Sequence, residues 1–173
     1  GGYVYVGDYR GGLYSCVFDE SNDSISSIKY IPLKETGRRD NWDGVGTYRK
    51  DVNDWSFDFT NGYLWVLHRN DYRVTLFTLN ADKQSVTFQS AKYIGRNNVP
   101  HSITTANGYA VFTTWSDYSV QVANVSSSLD RGEERTLEIL YSNNIDAGGS
   151  GQRVGIDPSK NVFFQLEGSG QID

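Results

Sequence analysis

The chain contains no methionine, one cysteine and three prolines among its 173 residues, and its charges never gather into a basic cluster longer than Arg38-Arg39. Each of these shortages excludes something. A lone Cys16 rules out an internal disulfide and any cysteine-based zinc site. Cys16 lies in the stretch Leu13-Tyr-Ser-Cys-Val-Phe18, where a small thiol suits a packed strand face, so it reads as a buried structural residue. The net charge of −5, with basic residues scattered, gives no one-sided positive footprint, and nucleic acid is set aside as a partner. No stretch reaches the ~20 apolar residues that a membrane-spanning helix needs. With neither an initiator methionine nor a signal peptide in the sequence, the chain is expected to be processed, trimmed or partial.

What is present points to strands. Aromatic residues make up 14% of the chain, including 12 tyrosines, and 18 glycines supply turns. This composition favours pleated, half-buried surfaces over helices, and the length suits one domain with a real core.

An internal repeat gives the architecture. Asn61-Gly62-Tyr63, Asp71-Tyr72 and Val74 recur as Asn107-Gly108-Tyr109, Asp117-Tyr118 and Val120, all at an offset of 46 residues. Ser56 and Ser102 share that offset. Repeats of about 40–50 residues built from short strands read as blades of a β-propeller. The chain is therefore expected to be all-β, with blades of four antiparallel strands making roughly half of a larger propeller. The repeats fall at about 1–33, 54–98, 99–145 and 150–173. The second is expected to run Trp55–Thr60, Tyr63–Arg69, Arg73–Asn80 and Ser85–Ile94, with Asn61-Gly62 as a two-residue hairpin turn. The third runs Ser102–Ala106, Tyr109–Trp115, Ser119–Val125 and Arg135–Ser142. The incomplete outer repeats imply missing sequence, or a second chain, that completes the ring.

Residues 34–53 form one long insertion without strand pattern, which in a compact fold is usually functional or disordered. Its Trp42 and Tyr48, set among charges, are candidate contacts for a glycan or a protein. Asp40-Asn-Trp-Asp43 and Asp51-Val-Asn-Asp54 offer hard oxygen ligands but match no calcium-loop spacing. No metal or cofactor is expected. Asn22-Asp-Ser24 and Asn124-Val-Ser126 are glycosylation sequons, which lean the chain toward an extracellular or cell-surface location.

The opening stretch Gly2-Tyr-Val-Tyr-Val-Gly-Asp-Tyr-Arg-Gly-Gly-Leu-Tyr-Ser-Cys-Val-Phe-Asp19 resembles the start of lactonase-type seven-bladed propellers. That group includes 6-phosphogluconolactonases and carboxymuconate cyclases. Pro100-His-Ser-Ile103 and Arg153-Val-Gly-Ile-Asp-Pro158 are similar to the family's lead-in to the innermost strand. The insertion and Trp55 depart from the pattern.

Under the repeat frame, Trp55, His101 and Arg153 occupy equivalent positions near the hub of successive blades, with Gln152 adjacent. An aromatic wall, an imidazole and a guanidinium suit an anionic or ring-shaped ligand. The resemblance implies His101 as general acid or base and Arg153 as the holder of a carboxylate or oxyanion. Ser102 is a poor nucleophile for His101, because strand neighbours point to opposite faces. His68 closes a strand and reads as an ordinary edge residue. Two functions remain open: a secreted or surface binding module presenting loops to a glycan or protein, and an enzyme of lactonase or cyclase type acting on a small anionic ring substrate in the central channel. A purely structural segment of a larger assembly is the third reading.

Overall fold

The computed structural model of the chain describes residues 2–8, 12–33, 52–68, 72–94, 99–114, 119–125, 137–144, 151–157, 159 and 162–167. These residues are all-β, without helix. Strands β1 (Gly2–Asp8), β2 (Gly12–Asp19) and β3 (Ser24–Pro32) form a first sheet. β4 (Val52–Asp58), β5 (Tyr63–His68), β6 (Arg73–Leu79) and β7 (Val86–Tyr93) form a second. β8 (Pro100–Ala106), β9 (Tyr109–Thr114), β10 (Ser119–Val125) and β11 (Leu137–Asn144) form a third, and β12 (Gly151–Asp157) pairs with β13 (Val162–Glu167) in a fourth. Every sheet is an antiparallel meander in sequence order. β4 lies beside β8, and β8 beside β12, so the first strand of each sheet packs on the first strand of the next. This is the radial arrangement of propeller blades.

The second sheet is covered on both faces, and strand alternation shows how. Tyr63, Trp65 and Leu67 of β5 join Val74 and Leu76 of β6 in a core shared with Ile103, Ala110, Phe112 and Ala123 of the third sheet. Leu64 and Val66 of β5 and Phe77 of β6 point the other way, into a core with Leu13, Ile31 and Leu33 of the first sheet. That is why β5 is apolar at nearly every position instead of alternating. Cys16 is buried at a bulge in β2, its thiol donating to the Val4 carbonyl at 3.5 Å.

β4 joins three sheets. The side chains of Asp54, Ser56 and Asp58 face the third sheet. Asp54 accepts from the Ile103 amide at 2.9 Å, Ser56 shares a 2.9 Å hydroxyl bond with Thr105, and Asp58 accepts from the Gly108 amide at 2.7 Å. Those of Trp55 and Phe57 face the first sheet: Phe57 packs on Tyr5 with ring centroids 4.5 Å apart, and Trp55 lies over Gly7, where an added Cβ would collide with the indole Nε1.

Three sequence expectations need correction. β4 begins at Val52, so the last residues of the proposed insertion are strand. The Asn61-Gly62 turn belongs to a four-residue connection, since Asp58 pairs with Tyr63 across residues 59–62. Only Asn107-Gly108 is the two-residue hairpin, with Ala106 paired to Tyr109 and φ of 54° and 83°. Those two extra residues change the offset. β5 and β9 keep the 46-residue spacing, but Asp54, which pairs with Leu67, corresponds to Ser102, which pairs with Thr113. Ser56 therefore corresponds to Thr104 and not to Ser102.

Asp58 is buried and also accepts from the Asn61 amide and side-chain amide at 3.2 and 2.9 Å. Asp58→Ala strands the Gly108 and Asn61 donors, and is expected to lower unfolding free energy by roughly 2–4 kcal/mol, read from urea titration. Asp58→Asn, which retains one acceptor oxygen, should cost less.

Candidate functional site

β4, β8 and β12 share an irregularity near their starts. Pairing with the following strand shifts between Val52 and Asp54, between Pro100 and Ser102, and between Gly151 and Arg153. The intervening residues are Asn53, His101 and Gln152. A bulge leaves one residue outside the ladder and re-aims it, and bulges gather at sheet edges and beside functional sites. Because the three strands lie side by side, Asn53, His101 and Gln152 fall at matching register positions at the leading ends of the inner strands, and of their side chains the structure describes that of His101. His101 is half-buried there.

A second set of residues closes the same end. The residue just before each bulge region pairs with the last part of the next strand: Val52 with His68, Pro100 with Thr114, Gly151 with Glu167. His68 is therefore no edge residue. It is buried beside Arg73, its cross-strand neighbour on β6, and its Nε2 has no hydrogen-bond partner among the described residues. Burial first, and the Arg73 cation second, push its pKa down to about 4. The side chain is thus a neutral imidazole at neutral pH, on the face that Leu64 and Val66 turn toward the first sheet.

The predicted site residues separate under this register. His101 and Gln152 occupy equivalent bulge positions on adjacent strands. Arg153 is one residue further along, in register with Asp54 and Ser102 and paired with Leu166. Trp55 is two residues beyond its bulge, in register with Ile103. It is turned to the first sheet, with its ring 5.6 Å from Phe57. The proposed equivalence of Trp55, His101 and Arg153 is thus corrected, because the longer β4–β5 connection moves the frame by two residues. Trp42 and Tyr48 lie outside the described residues. Asp54 engages the Trp55 and Ile103 amides with its two carboxylate oxygens, a structural use and not a ligand set.

Sequence reasoning missed Asn53 and misjudged His68. Asn53 was concealed because it falls in the stretch read as insertion, and a bulge leaves no mark in apolar periodicity. His68 was partly legible: it ends a run in which both faces are apolar, so burial at its position followed from that pattern.

No protein-family model matches the chain, and no curated protein matches its sequence. Solved structures do match its fold. The periplasmic gluconolactonase PpgL of Pseudomonas aeruginosa superposes with a TM-score of 0.64 at 15% identity, over 95% of this chain and 47% of that one. A candidate 6-phosphogluconolactonase from Bacteroides uniformis gives 0.63 at 12% identity, over 98% and 48%. The Cps50 (Swd1) β-propeller domain of Myceliophteria thermophila gives 0.60 at 10% identity, over 98% and 48%. The fold is that of a β-propeller, of the architecture seen in lactonase-type proteins. The chain spans about half the length of the structures it matches.

The neutral state of His68 has a consequence for stability. As pH falls below the ordinary value of 6.5, the unfolded chain takes up a proton that the folded chain refuses until about pH 4. The contribution is complete above 6.5, declines on acidification and is fully lost below 4, amounting to roughly 3 kcal/mol across that window. His68→Leu is expected to remove this part of the pH dependence, as measured by urea unfolding at pH 7 and pH 4.

Proposed function

We propose that the chain is a sector of a lactonase-type propeller that binds a small cyclic, hydroxyl-rich or anionic molecule at the leading ends of β4, β8 and β12. The recurrence of one bulge, occupied by Asn53, His101 and Gln152, carries the reading. Three hydrogen-bonding side chains on three adjacent strands are what a polar ring needs for orientation. Of the three, only the His101 imidazole can both accept and return a proton in a reaction. In the hydrolysis of a lactone, its imidazole takes a proton from an attacking water as the new C–O bond forms. The Arg153 guanidinium balances the oxyanion on the former carbonyl oxygen. Collapse then breaks the ring C–O bond, and the imidazolium returns its proton to the released hydroxyl. The likeness in fold to a periplasmic gluconolactonase supports this choice of substrate class.

The test is hydrolysis of glucono-δ-lactone followed in a pH-stat. His101→Ala is expected to lower kcat by about 10²–10⁴-fold, the usual contribution of acid–base catalysis, with the thermal midpoint retained. Unchanged turnover in that variant removes the catalytic role.

A second reading, a secreted or surface binding module with Trp42 and Tyr48 as contacts, is favoured by the position of one sequon. Asn22 is exposed in the β2–β3 turn, with its side chain held to Asp19 at 2.8 Å. Asn124 is different: it lies within β10 between Tyr109 and Glu138, and its Oδ1 is buried. Expression through a eukaryotic secretory pathway should therefore yield glycan on Asn22 and none on Asn124, as read by peptide mass spectrometry. An unmodified Asn22 would count against the surface reading.

A further inference from the structure

β4 and β8 each stand at the end of their own sheet and are not paired with each other, yet they lie alongside. Asp54, Ser56 and Asp58 tie β4 to the third sheet at three places, and the ties differ in where they act. Ile103 is two residues beyond His101, roughly 7 Å along an extended strand. Thr105 is four residues beyond, roughly 13 Å, and Gly108 lies past the strand in the hairpin turn. Of the three, the Asp54 bond therefore acts nearest the bulge that lifts His101 out of the ladder.

Its geometry is that of a clamp. Oδ1 accepts from the Trp55 amide at 2.9 Å, and Oδ2 accepts from the Ile103 amide at 2.9 Å. The first bond closes on the next residue of the same strand and fixes the carboxylate, which leaves the second oxygen one place to stand. Hydrogen bonds to a carboxylate are roughly twice as strong as those between neutral groups. The register position of Asp54 is taken by Ser102 on β8 and by Arg153 on β12, so β4 alone of the three inner strands carries a carboxylate there. A residue outside the ladder takes its place from the backbone on either side of it. Pro100, which precedes His101, has no amide hydrogen to donate. The residues that follow are held better: Ser102 is paired with Thr113, and the Ile103 amide is bound by Asp54.

We propose that Asp54 is a positioning residue: by holding the Ile103 amide, it sets where the His101 imidazole stands at the leading end of β8. Its effect on catalysis rests on the hydrolytic function proposed for His101, whereas the place of the ring is measurable without any turnover.

The chain has two histidines, so a ¹H–¹³C spectrum of the ring protons contains two signals. His68, next to the Leu67 that pairs with Asp54, reports on Asp54's own sheet. In Asp54→Ala the His101 signal is expected to broaden or split while that of His68 stays sharp. Ser56→Ala, which breaks the next tie along β4, should leave both sharp. In hydrolysis of glucono-δ-lactone, Asp54→Ala should lower kcat about 10–100-fold at nearly constant KM, because a misplacement of about 1 Å can cost about 10²-fold. Added to His101→Ala, it should lower kcat no further, since it acts through that ring. If Asp54→Ala does not fold, Asp54→Asn, with one acceptor oxygen for two amides, replaces it in each measurement. A His101 signal as sharp as in the wild type overturns the proposal, as does unchanged turnover. Broadening shared by His68, or caused equally by Ser56→Ala, is general loosening and overturns it too. A wild-type protein inactive on the lactone refutes the hydrolytic function alone, and the ring signals then decide the role of Asp54.

Discussion

The arrangement of this molecule depends on the alternation of a single strand. β4 carries two chemically opposite rows. Asp54, Ser56 and Asp58 bind the amides and a hydroxyl of the third sheet, while Trp55 and Phe57 pack against Gly7 and Tyr5 of the first. A strand whose successive side chains leave on opposite faces can join two neighbours without a helix or a long connection. The polar row gives direction, because a carboxylate accepting from a backbone amide fixes both distance and register. The aromatic row gives area, and its close fit over Gly7 fixes how near the first sheet approaches. The two rows act alongside the apolar cores that the second sheet shares with its neighbours on either side.

The two ends of β4 differ in character. At the leading ends, one extra residue per strand lifts Asn53, His101 and Gln152 out of the ladder. At the turn end of β4, aromatic rings emerge from the interface between the first two sheets.

The architecture does not select the chemistry. A gluconolactonase and the Cps50 propeller domain superpose on this chain about equally well, at 15% and 10% identity. Function on such a scaffold is set by the few residues presented at its ends. Near the leading ends, His68 is a neutral imidazole through burial and through Arg73 beside it.

Much of the fold was legible in the chain. Asn107-Gly108 specified its hairpin, since both residues accept positive φ, and the apolar run from Tyr63 to Leu67 announced a strand covered on both faces. The 46-residue spacing located β5, β6 and their counterparts correctly. The inner strands were less legible. The four-residue link after Asp58 altered the frame by two positions, so Trp55 was aligned with His101 although it corresponds to Ile103. Local residue chemistry determined which segments extend and where several of them turn, because those preferences act within a few bonds. The tertiary structure alone decided which side chains share a site, because register and bulges are settled by pairing and packing between segments far apart along the chain.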